Sequence, residues 1–292
     1  MKKRKRNPFL IYILTIMISF CIGSYLVKPD KETIIFFPLH PEAHFIKAGT
    51  TLSAQPLNDS PAYRITWTVT SLLDRKAYLR QDAGLLYEDG KLKAVIGPTA
   101  WKQTADSINE TRTFTDEFSH LFDAIAFHYG EIHEKNKITS VQQMSKDSLY
   151  VVQSENNRLY TFRKANGSVE MQWEKDLDQK KQGYLQSLWK KGLEQWNINA
   201  DSYMAIPLTN LPRYNTDPLP GFTRSQSDQI IGRLWEGLYK QYIVGIKKEN
   251  GTVVSPINST VPLILINRSQ RELLVLIPTE QYGAFLLKQR IP

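Results

Sequence analysis

The residue types best suited to acid–base and metal chemistry lie early in this chain. All five histidines precede residue 134, and four of them fall in two short clusters. The first cluster is His40, Glu42 and His44, in HPEAH. On a strand the three would share one face, and on a helix His40 and His44 would stand one turn apart. Either arrangement offers two imidazoles to a cation such as zinc. The glutamate does not sit where the H-E-x-x-H of zinc peptidases requires it, and Pro41 weakens a helix here unless it occupies the first turn. The plainer reading is two exposed histidines in a linker.

The second cluster is His128, Glu131 and His133, in FHYGEIHE. Its H-x-x-E-x-H spacing misses the inverted zinc motif by one residue. If residues 124–133 form a regular strand, Glu131 and His133 share a face with Tyr129, and His128 lies opposite. Glu131 and His133 would then make a general acid–base couple or a cation site. A bulge at Gly130 would bring His128 round to join them. The plainer reading is a strand with polar residues on its wet face. Glu131 and His133 are thus the candidate catalytic pair. His40, His44 and His128 are the candidate metal ligands, and no cofactor is strongly implied.

Other signatures fail by position or by missing partners. Ser187 to Lys190 matches S-x-x-K, but it falls mid-helix and lacks the S-D-N and K-T-G partners. There is no G-x-S-x-G, no phosphate-binding P-loop and no G-x-G-x-x-G. All six tryptophans lie beyond residue 60, and most fit strand or helix stripes, where core packing is the default. Trp101, in a polar stretch, is the best exposed candidate. With Tyr214 and Phe222 near a proline-rich stretch, it would suit a glycan, a peptide or another protein.

The elements that must position these residues begin with Met1 to Lys28. Five cations, Lys2 to Arg6, precede nineteen uncharged residues, Phe9 to Val27. As a helix that run is about 28 Å long, close to the hydrocarbon thickness of a bilayer. The expectation is a single-pass transmembrane anchor through residues 9–27, with the N-terminus cytoplasmic and the C-terminal domain outside the cell membrane. The alternative is secretion after cleavage near Gly23, where the residues flanking the cut fit a signal peptidase only moderately. Bulky Phe20 before Cys21 argues against lipidation.

The formal charge of +8 is mainly a topology signal. Beyond residue 28 there are 31 cations against 29 acids, so no nucleic-acid partner is expected. Cys21 is the only cysteine, which excludes a disulfide scaffold in the outer part. A bacterial surface is the natural setting for such a chain.

Three domains are expected: residues 1–28 as basic stub and anchor, 29–60 as a juxtamembrane segment, and 61–292 as the outer domain. Residues 63–70 alternate as a strand with one buried face. Residues 85–96 read as a hairpin turning at Asp89-Gly90. Residues 101–113 look like a polar loop, and residues 115–122 like a short helix. Strands follow from 124 to 163, and Val169 to Trp173 adds another. Two amphipathic helices are expected at about 176–196 and 225–242, with a long proline-bearing loop, 206–221, between them. The apolar runs VPLILI and ELLVLI read as strands buried on both faces. Strands, then helices, then strands give an α+β fold: a transmembrane helix followed by a largely antiparallel-sheet ectodomain with two long amphipathic helices. Function is expected to be binding or regulation of a protein or cell-wall partner. The alternative is an anchored hydrolase of wall or peptide substrates that uses Glu131 and His133.

Overall fold

A computed structural model describes residues 34–291, apart from 59, 98, 99, 155, 157, 249, 250, 268 and 270. The expected anchor and its cleavage site lie outside the described residues. Among the described residues, no helix is long and apolar enough to cross a membrane.

The larger of two main sheets holds seven strands: β1 (Phe45–Pro56), β2 (Tyr63–Glu88), β3 (Lys91–Ile96), β4 (Trp101–Asp116), β5 (His120–Glu134), β6 (Lys137–Gln153) and β7 (Leu159–Phe162). The order is β1-β2-β5-β6-β7, with β3 and β4 also on β2, and every pairing is antiparallel. The sheet curls into a half-barrel, and β2 is the reason. Its first part pairs with β1 through residues 63–73, and its second part pairs with β5 through residues 79–88. Between them the register against β4 slips at Leu72/Ala77. Such an irregularity bends a strand and sharpens its twist. The two halves then close on each other. A Cβ built at Gly84 would come within 2.7 Å of the Trp67 ring.

One long helix follows, α1 (Ser168–Gln195), then β8 (Met204–Pro207), a 3-10 segment over Leu208–Asn215, α2 (Arg224–Leu238) and a π turn over Tyr239–Ile243. Thr223 and Gln226 form a reciprocal capping box at the start of α2. A two-stranded ribbon, β9 (Ile246–Lys247) with β10 (Val253–Val254), leads to β11 (Leu263–Asn267), β12 (Glu272–Thr279) and β13 (Gly283–Arg290). These last three join β8 in a second antiparallel sheet of order β13-β12-β11-β8.

The main core lies between the two sheets. Ile125, Phe127 and Tyr129 of β5 meet Ile230, Leu234 and Trp235 of α2, together with Ile264 of β11 and Val275 of β12. Leu265, Leu274 and Leu276 form a separate cluster with Ala284 on the other face of the second sheet. The apolar runs at 261–266 and 272–277 are therefore buried on both faces, as expected. The opposite face of β5, with Phe122, Ala124 and Ala126, packs under Ile65, Trp67 and Val69 inside the half-barrel.

The expected α+β class is overturned. The structure is 51% strand and 24% helix, so this is a mainly antiparallel-β protein; of the two expected helices, α1 spans Ser168–Gln195, and α2 runs from Arg224 to Leu238 and on into the π turn that ends at Ile243. Much of the difference comes from strands whose sequence is polar. Residues 101–113, expected as loop, belong to the 16-residue β4, most of whose residues are exposed. Its backbone is satisfied by β2 while its side chains face water, so it shows no apolar alternation. The charged run Asp74 to Asp82 hides the continuation of β2 in the same way. Residues 115–122, expected as a helix, end β4 and begin β5. Conversely, Val169 to Trp173, expected as strand, forms the first turns of α1.

The stretch 206–221 carries the end of β8 and the 3-10 segment, where Leu208, Leu211 and Tyr214 are buried. The Asp89-Gly90 turn is present. Both residues have positive φ, 48° and 88°, as a two-residue hairpin of this hand demands.

Candidate functional site

β5 carries an alternating row into the half-barrel: Phe122, Ala124, Ala126, then His128. His128 has no exposed surface. Directly opposite it on β2 is Asp82, also fully buried. His128 Nδ1 is 2.9 Å from Asp82 Oδ2, and His128 Nε2 is 2.8 Å from Ser145 Oγ on β6. Ser145 is half-buried, so the chain of hydrogen bonds runs from a dry carboxylate to a hydroxyl at the edge of solvent. In the tautomer that satisfies both contacts, Nδ1–H donates to Asp82 and Nε2 accepts the hydroxyl proton.

The carboxylate is held from behind. Asp82 Oδ2 also accepts the Ser71 hydroxyl at 2.7 Å. Arg80, fully buried, brings Nη2 to 3.5 Å from Oδ1. Its guanidinium also donates to the Tyr129 carbonyl at 3.0 Å, to the Ser71 hydroxyl at 2.6 Å and to the Asp106 carbonyl. Burial pulls the Arg80 pKa down, against the pull of Asp82 and Asp106. Phe45 of β1 closes this layer, with its ring 4.9 Å from the guanidinium carbon and 6.0 Å from the His128 ring.

The pairing of β5 with β2 and with β6 runs without a shift, so no bulge forms at Gly130 and His128 stays on the face opposite Glu131 and His133. Those two do meet. His133 Nε2 makes a close hydrogen bond to a Glu131 carboxylate oxygen, and the imidazole stacks on Tyr78 at 3.9 Å between centroids.

His40 and His44 turn to separate partners. His40 Nε2 lies 3.1 Å from Glu134, and its Nδ1 accepts the Glu42 and Ala43 N–H groups. His44 Nδ1 lies 3.1 Å from the Glu42 carbonyl and 3.5 Å from Asp74. The structure therefore does not gather His40, His44 and His128 into one ligand set.

Among the described residues, the one group of three with metal-ligand spacing is Glu88, Asp116 and His120. A cation already serves it: the Lys93 ammonium reaches Glu88 and lies 3.3 Å from Asp116. His120 Nδ1 is 2.8 Å from Asp89, which Lys180 of α1 also approaches at 2.6 Å. Burial works against the His120 imidazolium, but Asp89, Glu88 and Asp116 outweigh it and raise its pKa. Burial likewise opposes the Asp89 carboxylate, and His120, Lys180 and the Leu121 N–H overcome it to lower that pKa. The cluster is a joint as well. Beside it the hairpin tip meets the second half of the chain, where the Val261 N–H donates to the Gly90 carbonyl and Lys91 pairs with Glu280.

Trp101, Tyr214 and Phe222 separate. Trp101 is 42% exposed at the start of β4. Tyr214 is buried within the 3-10 segment, and Phe222 is half-buried against the main core. Tyr214 does line a cavity of about 300 Å³ between β6, the 3-10 segment and α2. Phe127, Met144 and Ile231 contribute apolar surface to it, and Gln142, Gln143, Asn215, Thr216, Arg224 and Asp228 contribute polar surface. The Asn215 side chain pins one wall, accepting the Met144 N–H at 3.1 Å and donating to its carbonyl at 2.7 Å. Arg224 pairs with Asp228 one turn on, across the cavity's rim.

Comparison with protein-family models, curated proteins and solved structures gives no significant match.

The sequence marks His128 as a candidate ligand but does not mark its partners. Asp82, His128 and Ser145 are spread over 64 residues and three strands. The one available signal was a histidine interrupting the row Phe122, Ala124, Ala126 on an otherwise apolar face.

Proposed function

We propose that the chain is a single-pass, membrane-anchored extracytoplasmic protein that acts as a binding or regulatory module at a bacterial cell surface. The cavity between β6, the 3-10 segment and α2 carries the binding half of this reading. It is concave, built on rigid elements, and lined by amide, hydroxyl and paired charged groups over an apolar base. Such a lining suits a ligand with many hydrogen-bonding groups and little net charge, a peptide or a wall glycan. The basic run Lys2 to Arg6 before the apolar run Phe9 to Val27 supports the location.

A photo-crosslinking residue at the exposed position 216, in the full chain with a C-terminal tag, tests both halves in intact cells. A full-length membrane band with one discrete heavier species supports the reading, and mass spectrometry of that species names the partner. A shorter band in the medium sinks the anchor. A full-length band that never shifts sinks the cavity as the binding site.

A second reading is an anchored hydrolase of wall or peptide substrates that uses Glu131 and His133. The direct contact between them favours it. Glu131→Ala/His133→Ala should then abolish hydrolysis of purified wall material while the protein stays folded. Activity that survives the double substitution removes this reading.

A further inference from the structure

The buried layer of the half-barrel goes beyond a binding role. We propose that Ser145 is an activated nucleophile that takes the acyl group of a small ester, with His128 as its general base and Asp82 orienting the imidazole. Three observations carry this. Both hydrogen bonds of the relay are short and in the order that nucleophilic serine chemistry needs, carboxylate to Nδ1 and Nε2 to hydroxyl. Arg80 and Ser71 already engage the Asp82 carboxylate inside the layer. Holding the imidazole between that carboxylate and a half-exposed hydroxyl extends the layer to the surface, which packing alone does not require.

The third observation concerns where an oxyanion would sit. β1 and β6 face each other across the seam of the half-barrel without a backbone ladder. Side chains bridge the gap instead: Asp147 accepts the Leu52 N–H at 2.7 Å, and Arg163 donates to the Leu52 carbonyl at 2.8 Å. Leu52 thus turns both backbone groups away from β2 and into the seam. Thr50 and Leu52 stand opposite Val69 and Trp67 in an unbroken antiparallel register, and alternate residues of such a ladder point the same way. The Thr50 N–H therefore also faces the seam. Thr50 precedes Leu52 by two residues, as Ser145 precedes Asp147. Phe45 meets His128, which stands opposite Gln143 of β6, and Leu52 meets Asp147, so β1 and β6 run in the same sense here. This places the Thr50 N–H level with Ser145 as the donor to the developing oxyanion.

In the reaction Ser145 Oγ attacks the ester carbonyl carbon and its proton passes to His128 Nε2. The C–O bond to the alcohol breaks, and His128 returns the proton to the leaving oxygen. Water then cleaves the Ser145 ester by the same steps, releasing the acid and restoring the hydroxyl.

A fluorophosphonate probe and p-nitrophenyl acetate, applied to the full chain, test the proposal. The expected result is one phosphonyl adduct per chain, mapped to Ser145, and a burst of about one p-nitrophenolate per chain. Both should be absent in Ser145→Ala. His128→Gln should slow labelling by 100-fold or more, with its fold checked by circular dichroism. The wild-type adduct at Ser145 is a readout that needs no variant and that a merely structural serine would not give. No adduct at Ser145 in folded protein, an adduct on other residues only, or a labelling rate indifferent to His128→Gln in a folded variant would overturn it.

Discussion

Two polar clusters in this molecule use the same residue types and do opposite things with them. Inside the half-barrel, Arg80, Asp82 and His128 are fully buried, with one carboxylate between one guanidinium and one imidazole. At the hairpin joint, Glu88, Asp89 and Asp116 meet Lys93, Lys180 and His120 with most groups partly wetted. Burial makes the first cluster demanding: each member needs its partner because water cannot substitute. The second is redundant, since any one charge has several opposites and solvent screens the remainder. A histidine among acids is therefore evidence of chemistry only when burial leaves it a single path, and here that path leads to Ser145.

Arg80→Ala should give the largest effect and test the contrast most severely. It leaves the Asp82 carboxylate buried without its cation, and the expected loss is about 3–5 kcal/mol in urea unfolding. A loss below about 1 kcal/mol would mean that water reaches the layer and the contrast fails. Replacing Arg80 and Asp82 together by apolar residues should cost less than the two single changes added, because the partners form one unit.

Gly84→Ala should come next. Its new Cβ would press on the Trp67 ring, so the two halves of β2 must part, at a cost of roughly 1–3 kcal/mol. Full retention of stability would show that the fold at the bend is looser than the ring contact implies.

The joint responds to pH instead. The raised His120 pKa gives stability that is complete below its ordinary 6.5 and lost as pH rises through the folded value. The lowered pKa values of Asp89 and Asp116 give stability that is present above their ordinary 3.8 and lost as pH falls through the folded values. The melting temperature should thus plateau between about pH 4 and 6.5 and decline on both sides. His120→Gln should remove the alkaline shoulder, a change of about 2–4 °C if the pairing contributes near 1 kcal/mol. An alkaline shoulder that persists in this variant assigns it to another group. Smallest of all should be Lys180→Ala, at roughly 0.2–1 kcal/mol by thermal melt, since His120 still neutralises Asp89.

The same contrast explains what could be read from residues alone. The Asp89-Gly90 turn was legible because its chemistry is local: two adjacent residues that tolerate positive φ between two apolar runs. The apolar strands β11 and β12 were legible because burial on both faces leaves only one kind of residue. β4 was not, because backbone hydrogen bonds to β2 hold it while its threonines and charges face water. The extension of β2 through Asp74 to Asp82 was hidden for a related reason. Its buried charges are matched by partners on β4 and β5, and no periodicity records a partner 26 or 46 residues away. The α+β expectation failed on these polar strands. The relay was missed with them, since two of its three members sit where polar residues look like surface.

The segment from Ile34 to Leu39 forms little regular structure, yet it is stitched into the fold at both ends. Ile34 is buried, the Phe36 N–H donates to Glu236 of α2, and Tyr129 and Ser140 donate to the Ile35 and Phe37 carbonyls. Ser140 then exchanges backbone bonds with Pro38 and His40. The ring of Phe36 lies where a side chain at Gly232 would be. Mechanically, this strap is a clamp. A pull on Ile34 would be borne first at β5 and α2 and then at β6. When it yields, it uncovers α2 and the edge of the cavity beside it, so a load on the chain would become exposure of a binding surface.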